Sequence, residues 1–119
     1  MYLLKIHCLE LSPEVWKIDI EGTVDPTNIS ILKNAIDGIF NKGIYKLVLD
    51  LKGAEYISST GIGCFITSLD VATEHAGQIL FIAAPPQIQR IADILMLSEV
   101  FTFVDDEKSA LELLEGRGS

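Results

Sequence analysis

Three hydroxyl residues in a row, Ser58-Ser59-Thr60, stand where a strand-like run gives way to a helix-like one. Nucleophilic catalysis is the first chemistry such a run suggests, and it needs a base within reach and a group to orient that base. The histidines of the chain are His7 and His75, placed in different elements, and the Gly-x-Ser-x-Gly pattern of a nucleophile elbow is missing. Gly61-Ile62-Gly63 has no third glycine at the right spacing and no following lysine, so a nucleotide loop is not indicated. No His, Cys or carboxylate cluster has metal-ligand spacing. The pattern predicts a protein that is not an enzyme and needs no metal or cofactor.

What remains is a helix start. Backbone N–H groups there lack partners within the helix, and the macrodipole makes that end positive. A hydroxyl at that place can cap the helix, or it can carry a phosphate that the helix end tolerates. A phosphoserine would add about −1.5 to −2 charges and three strong acceptor oxygens. The fold itself could survive it, since the helix end offsets part of the charge by roughly 0.3–1 kcal/mol. A docked partner would have to bury a dianion, and a hundredfold loss of affinity takes only about 2.7 kcal/mol. Spacing alone leaves both jobs, cap and switch, open.

The elements that must hold this site follow from periodicity. Leu4 to Leu11 and Val15 to Glu21 alternate apolar and polar around the turn signal Ser12-Pro13-Glu14, a hairpin. His7 is expected to be structural or solvent-facing. Gly22 to Asn28 reads as a loop, with Asp25-Pro26 shaping it. Ile29, Leu32, Ile36, Ile39 and Phe40 then make one helical stripe, with Thr27 or Asn28 available as its cap and Gly43 closing it. Tyr45 to Leu51 has a continuous apolar centre, as a parallel strand covered on both faces should, and Lys52 to Ile57 reads as a connector. From Ser58 the inner helical face is Ile62, Phe65, Ile66, Leu69 and Ala72 or Thr73. Gly77 stands where a C-terminal cap belongs, and His75 is expected to be exposed. Gln78 to Ala84 is another apolar strand. Pro85-Pro86 opens a helix with Ile88, Ile91, Ala92 and Leu95 inward, and Met96-Leu97 turns the chain, as core or as exposed patch. Phe101 to Val104 is a short edge strand, Asp105-Asp106-Glu107 loads the last helix start with negative charge, and Ala110, Leu111, Leu113 and Leu114 pack that helix down. The order β-β-α-β-α-β-α-β-α predicts an α/β sandwich: a mixed, mostly parallel sheet with an N-terminal hairpin and about four helices.

With 119 residues, 49% of them hydrophobic, the chain is expected to form one domain over residues 1–115 with a flexible tail at 116–119. The net charge of −8, from 17 acidic and 9 basic residues, argues against direct nucleic-acid binding and favours proteins or cationic surfaces as partners. No apolar run is long enough for a membrane span and no signal-peptide pattern opens the chain, so a cytoplasmic location is expected. Cys8 and Cys64 are expected to be two reduced core thiols. The oligomeric state, monomer or weak dimer, is not written in the pattern.

Gly22-Thr23-Val24-Asp25, Leu47-Val48-Leu49-Asp50-Leu51, Tyr56-Ile57-Ser58-Ser59-Thr60-Gly61-Ile62-Gly63 and the closing Ser109-Ala110-Leu111 together resemble a STAS domain of the bacterial anti-sigma factor antagonist type. The resemblance runs from about Leu4 to Leu114 and is most specific at the serine–glycine helix start. It implies partner switching. The unphosphorylated antagonist binds an anti-sigma factor that is also a serine kinase, phosphorylation at the helix start separates the two, and a PP2C-type phosphatase restores the free form. By position the acceptor falls on Ser59, with Thr60 and Gly61 after it, and the loop acid of the docking face falls on Asp25. One position departs: the family commonly has an aspartate before the acceptor, where this chain has Ser58, so Ser58 is a rival acceptor and the natural cap. The alternative within the resemblance is a non-phosphorylated STAS scaffold in a signalling or lipid-transport complex.

Overall fold

A computed structural model of the chain describes residues 3–116. Most of the tail expected at 116–119 therefore lies outside the described residues, as do Met1 and Tyr2. The elements run β1 (Leu4–Ser12), β2 (Val15–Val24), α1 (Ile29–Phe40), β3 (Lys46–Ile57), α2 (Ser59–Glu74), β4 (Gln78–Ile82), α3 (Pro86–Ile94), β5 (Thr102–Val104) and α4 (Glu107–Leu114). This is the expected order and the expected α/β class. The sheet keeps the sequence order β1-β2-β3-β4-β5, with β1 antiparallel to β2 and every later pair parallel. A two-residue turn suffices for the hairpin, whereas each parallel return needs a helical crossover. The nine-residue β1 and the three-residue β5 form the two edges.

Two apolar layers sandwich the sheet. On one face Ile18, Ile20, Leu47, Leu49, Leu51, Ile79 and Phe81 meet Leu32 and Ile36 of α1 and Ile62 and Phe65 of α2. On the other, a smaller cluster of Val15, Val48, Leu80 and Ile82 is covered by Ala110 and Leu114 of α4. The central run Leu47-Val48-Leu49 thus feeds both layers and is fully buried, as its unbroken hydrophobicity predicts. Each such side chain contributes roughly 1.5–3 kcal/mol by leaving water. Lys17 of β2 reaches Asp19 at 3.3 Å and Glu107 of α4 at 2.8 Å, which ties the last helix to the sheet.

Several local expectations are corrected. Gly22 to Val24 and Lys52 to Ile57 are not loop and connector but the ends of β2 and β3, paired Gly22↔Ala54, Thr23↔Tyr56 and Val24↔Ile57. Register shifts after Asp19 and Gly22 break the alternation there and hide the strand from a period-2 reading. Conversely β3 begins at Lys46 rather than Tyr45, and β4 ends at Ile82 rather than Ala84, where Ala83 takes φ 54°. The left-handed residue closing α2 is Ala76 at φ 59°, not Gly77. Gly77 is needed for space instead, since a Cβ there would lie 2.1 Å from the Tyr45 carbonyl oxygen. Leu95 and Leu113 face solvent rather than the core, and Met96 is 83% exposed while Leu97 packs inward. Neither Thr27 nor Asn28 caps α1 with its side chain.

Candidate functional site

The parallel strands β2 and β3 end side by side, at Val24 and Ile57, so the segments that follow them leave the same edge of the sheet together. In α/β sheets the carboxyl ends of parallel strands are where sites are built. The two exits are stitched by the Ser58 amide, which donates to the Val24 carbonyl at 2.9 Å. Asp25 follows one strand and Ser58 the other. The structure therefore brings the Asp25 loop next to the start of α2.

The three hydroxyl residues have different surroundings. Ser58 is extended (φ −72°, ψ 170°) and its Oγ accepts from the Gly61 amide at 3.3 Å, the bond of an N-cap. It is only 8% exposed. Ser59 and Thr60 occupy the first two helical positions and point to solvent. Among the described residues no side-chain hydrogen bond holds the Ser59 hydroxyl. The first turn of α2 carries no acidic residue, so no side chain of that turn compensates the positive end of the 16-residue helix.

Gly61 explains why the turn sits so close to the sheet. A Cβ there would lie 2.7 Å from Ile57 Cγ2 and 2.9 Å from Val24 Cγ1, closer than packed carbons tolerate. The helix starts directly on the two strand ends, and that contact buries Ser58 while leaving Ser59 outside.

The Asp25 carboxylate turns back on its own loop. Its Oδ1 accepts from the Thr27 amide at 2.8 Å and from the Thr27 hydroxyl. The Thr27 hydroxyl, with the amides of Thr27 and Asn28, holds the carboxyl below the usual aspartate range. Asn28 is buried, accepts from the Asp25 amide at 2.9 Å through Oδ1 and donates from Nδ2 to the Thr23 carbonyl at 2.8 Å. Sequence reasoning names Asn28 only as a possible helix cap. The available signal was an asparagine three residues after the loop aspartate, since such side chains readily bond nearby backbone. Tyr56, half-exposed at 52% beside the same strand ends, also went unremarked as a surface feature.

The histidines are distant from this edge. His75 lies at the far end of α2, about 26 Å along the helix from Ser58, where its ring stacks on Tyr45 at 3.9 Å. His7 is on β1 against Asp19, 3.7 Å away, which stands five residues before the end of β2, roughly 16 Å along the strand. Neither can serve the hydroxyl triplet as a base. Cys8 and Cys64 are free, half-buried thiols, both pushed up by burial and so away from thiolate reactivity. Among the described residues no group of three His, Cys, Asp or Glu is gathered as a metal site, and no helix is long and apolar enough to cross a membrane. The site consists of an exposed hydroxyl, an anchored acid and a helix end with no acid in its own first turn.

Comparison with known proteins gives concordant findings. A family model for the STAS domain matches residues 9–110. An anti-sigma F factor antagonist of Paenibacillus polymyxa is 22% identical over 99 residues, 82% of this chain and 85% of that protein. Among solved structures, an anti-sigma factor antagonist from Mycobacterium paratuberculosis superposes with a TM-score of 0.80 over 97% of this chain and 95% of that one, at 19% identity. The Bacillus cell fate determinant SpoIIAA in its phosphorylated form gives a TM-score of 0.69 over 94% of this chain and 97% of that one, at 14% identity.

Proposed function

Because the chain belongs to the STAS domain family, we propose that it is an anti-sigma factor antagonist, a binding module switched by phosphorylation of Ser59. In the unphosphorylated form the Asp25 loop and the first turn of α2, Ser58 to Gly61, dock on an anti-sigma factor that is also a serine kinase. Phosphate transferred from ATP to Ser59 ends the complex, and a PP2C-type phosphatase reverses the step. The protein supplies the acceptor and the docking face and has no catalysis of its own.

One observation carries this reading: neighbouring serines are in opposite states. Ser58 is buried and spends its oxygen on the Gly61 amide, whereas Ser59 is exposed and unengaged on a helix end without an acid. A phosphate on Ser58 would destroy the cap and enter a packed site. On Ser59 it would meet water, N–H groups and the positive end of the dipole. The protein then stays folded, and the cost falls on a partner that would have to bury about −1.5 to −2 charges.

The test is incubation with ATP and a serine-kinase anti-sigma factor from the same genome, followed by mapping the modified residue by mass spectrometry. Phosphate is expected on Ser59. Its appearance on Ser58 would reverse the division of labour, and no phosphate on Ser58, Ser59 or Thr60, with a complex indifferent to ATP, would leave a non-switching scaffold as the better reading. Ser59→Asp is expected to weaken that complex about a hundredfold, roughly 2.7 kcal/mol, with the unfolding transition retained.

A further inference from the structure

Asn28 occupies the N-cap position of α1 yet makes no capping bond, although asparagine is among the best residues for that task. Its side chain turns the other way, into the corner where β2 leaves the sheet. There its two ends do complementary work. Oδ1 accepts from the Asp25 amide at 2.9 Å, and Nδ2 donates to the Thr23 carbonyl at 2.8 Å. Only one orientation of the amide satisfies both, because one partner is a donor and the other an acceptor. Asn28 is buried, so water does not readily replace those bonds.

Between Thr23 and Asp25 stands Val24, and Val24 is where α2 rests. Its carbonyl accepts from the Ser58 amide at 2.9 Å, and its side chain is one of two that exclude a Cβ at Gly61. Asn28 therefore clamps the residues on either side of the one that supports the acceptor turn. The Asp25 carboxylate, aimed within the loop by Thr27, inherits its position from that clamp.

We propose that Asn28 is the positioning residue of the docking face, holding Asp25 in fixed register with the Ser59 hydroxyl through Thr23 and Val24. It touches neither partner nor phosphate and acts through Asp25. The proposal rests on the reading of this edge as a docking face. It adds that the two halves of that face are one rigid unit.

Two measurements test it, and the first needs no partner. Amide hydrogen exchange of the full chain is expected to speed up about tenfold at Asp25 in Asn28→Ala, with the amides of α2 beyond its first turn unchanged. Unchanged Asp25 exchange would overturn the clamp. Should Asn28→Ala fail to fold, Asn28→Asp replaces it. That variant puts an acceptor where Nδ2 donates to the Thr23 carbonyl and so opens one end of the clamp; faster exchange at Asp25 is expected, and unchanged exchange there would overturn the proposal. The second measurement is a double-mutant cycle on binding to the serine-kinase anti-sigma factor. Asn28→Ala is expected to weaken binding about tenfold, and Asn28→Ala with Asp25→Ala no more than Asp25→Ala alone. Additive losses, as a merely structural residue would give, would overturn the positioning role. If the wild-type chain fails to bind, the proposed function falls while the exchange arm still decides the clamp.

Discussion

The starts of α2 and α4 are built on the same frame and finished in opposite ways. In each, the residue before the helix accepts from the amide three positions on, Ser58 from Gly61 at 3.3 Å and Asp106 from Ser109 at 2.8 Å. At α4 the cap is itself an anion, Glu107 adds a second in the first turn, and Lys17 engages that glutamate. At α2 the cap is neutral, the first turn has no acid, and a glycine presses the turn onto the sheet. The difference separates a helix end whose potential is consumed by the fold from one whose potential is kept available. An added phosphate would be redundant at the first and accommodated at the second.

The comparison breaks most visibly at its third helical position. Gly61→Val is expected to cost about 1–3 kcal/mol by forcing atoms into Ile57 and Val24, whereas Ser109→Ala is expected to stay within about 0.5 kcal/mol. Urea unfolding of both variants measures this, and equal losses would mean that the two turns are packed alike.

The caps come next. Ser58→Ala leaves the Gly61 amide without a partner in a buried place and is expected to cost about 1–2 kcal/mol, despite the longer bond. Asp106→Ala exposes the Ser109 amide to water and is expected to cost less than Ser58→Ala. A reversed ranking would show that bond length rather than burial governs these ends.

Charge gives a smaller effect of predictable sign. Ser59→Asp adds an anion to that first turn and is expected to raise stability by about 0.3–1 kcal/mol, even as it weakens the proposed complex. Glu107→Gln removes an anion and is expected to lower stability by about 0.2–1 kcal/mol. Thermal unfolding at low salt reads both, and a destabilised Ser59→Asp would contradict a helix end free to take charge.

The smallest effect is in pH. The Ser109 amide, and after it the Ser109 hydroxyl, hold the Asp106 carboxyl below the usual aspartate range. Because the folded value lies below the unfolded one, this contribution is complete above the ordinary aspartate pKa and is lost as pH falls through the lower folded value. The Ser58 hydroxyl does not titrate. As pH falls through that lower folded value the Ser109 amide is therefore expected to lose protection while the Gly61 amide keeps it, as NMR-detected exchange would report.

The elements of this fold were largely legible because their signals were long and regular. The stripe of α1 and the unbroken core of β3 each had one physical interpretation. The exits of β2 and β3 were not legible, since bulges near Glu21 and Gly53 break the alternation where the site begins. The site was legible in its parts rather than its geometry. The run Ser58-Ser59-Thr60 announced a helix start, and Ser58 does cap it. That Gly61 presses on Val24, or that Asn28 turns from α1 toward Thr23, depends on contacts between segments that pair only in the folded sheet. Leu95 and Leu113 misled for a simpler reason: helical spacing names a face, and a short helix at the rim leaves the end of that face in water.

The sheet stops at β1, whose nine residues outlast the three of β5 at the other side. A strand edge of that length is a template on which another chain can add a strand. Lys5 and Glu10 are exposed along it, and charged side chains on an edge make such addition costly. The strand that completes the hairpin thus also carries the charges that guard the open edge of the sheet. Replacing its charges with valine would leave the core contacts of Ile6 and Cys8 in place and turn the molecule's boundary into a growth front.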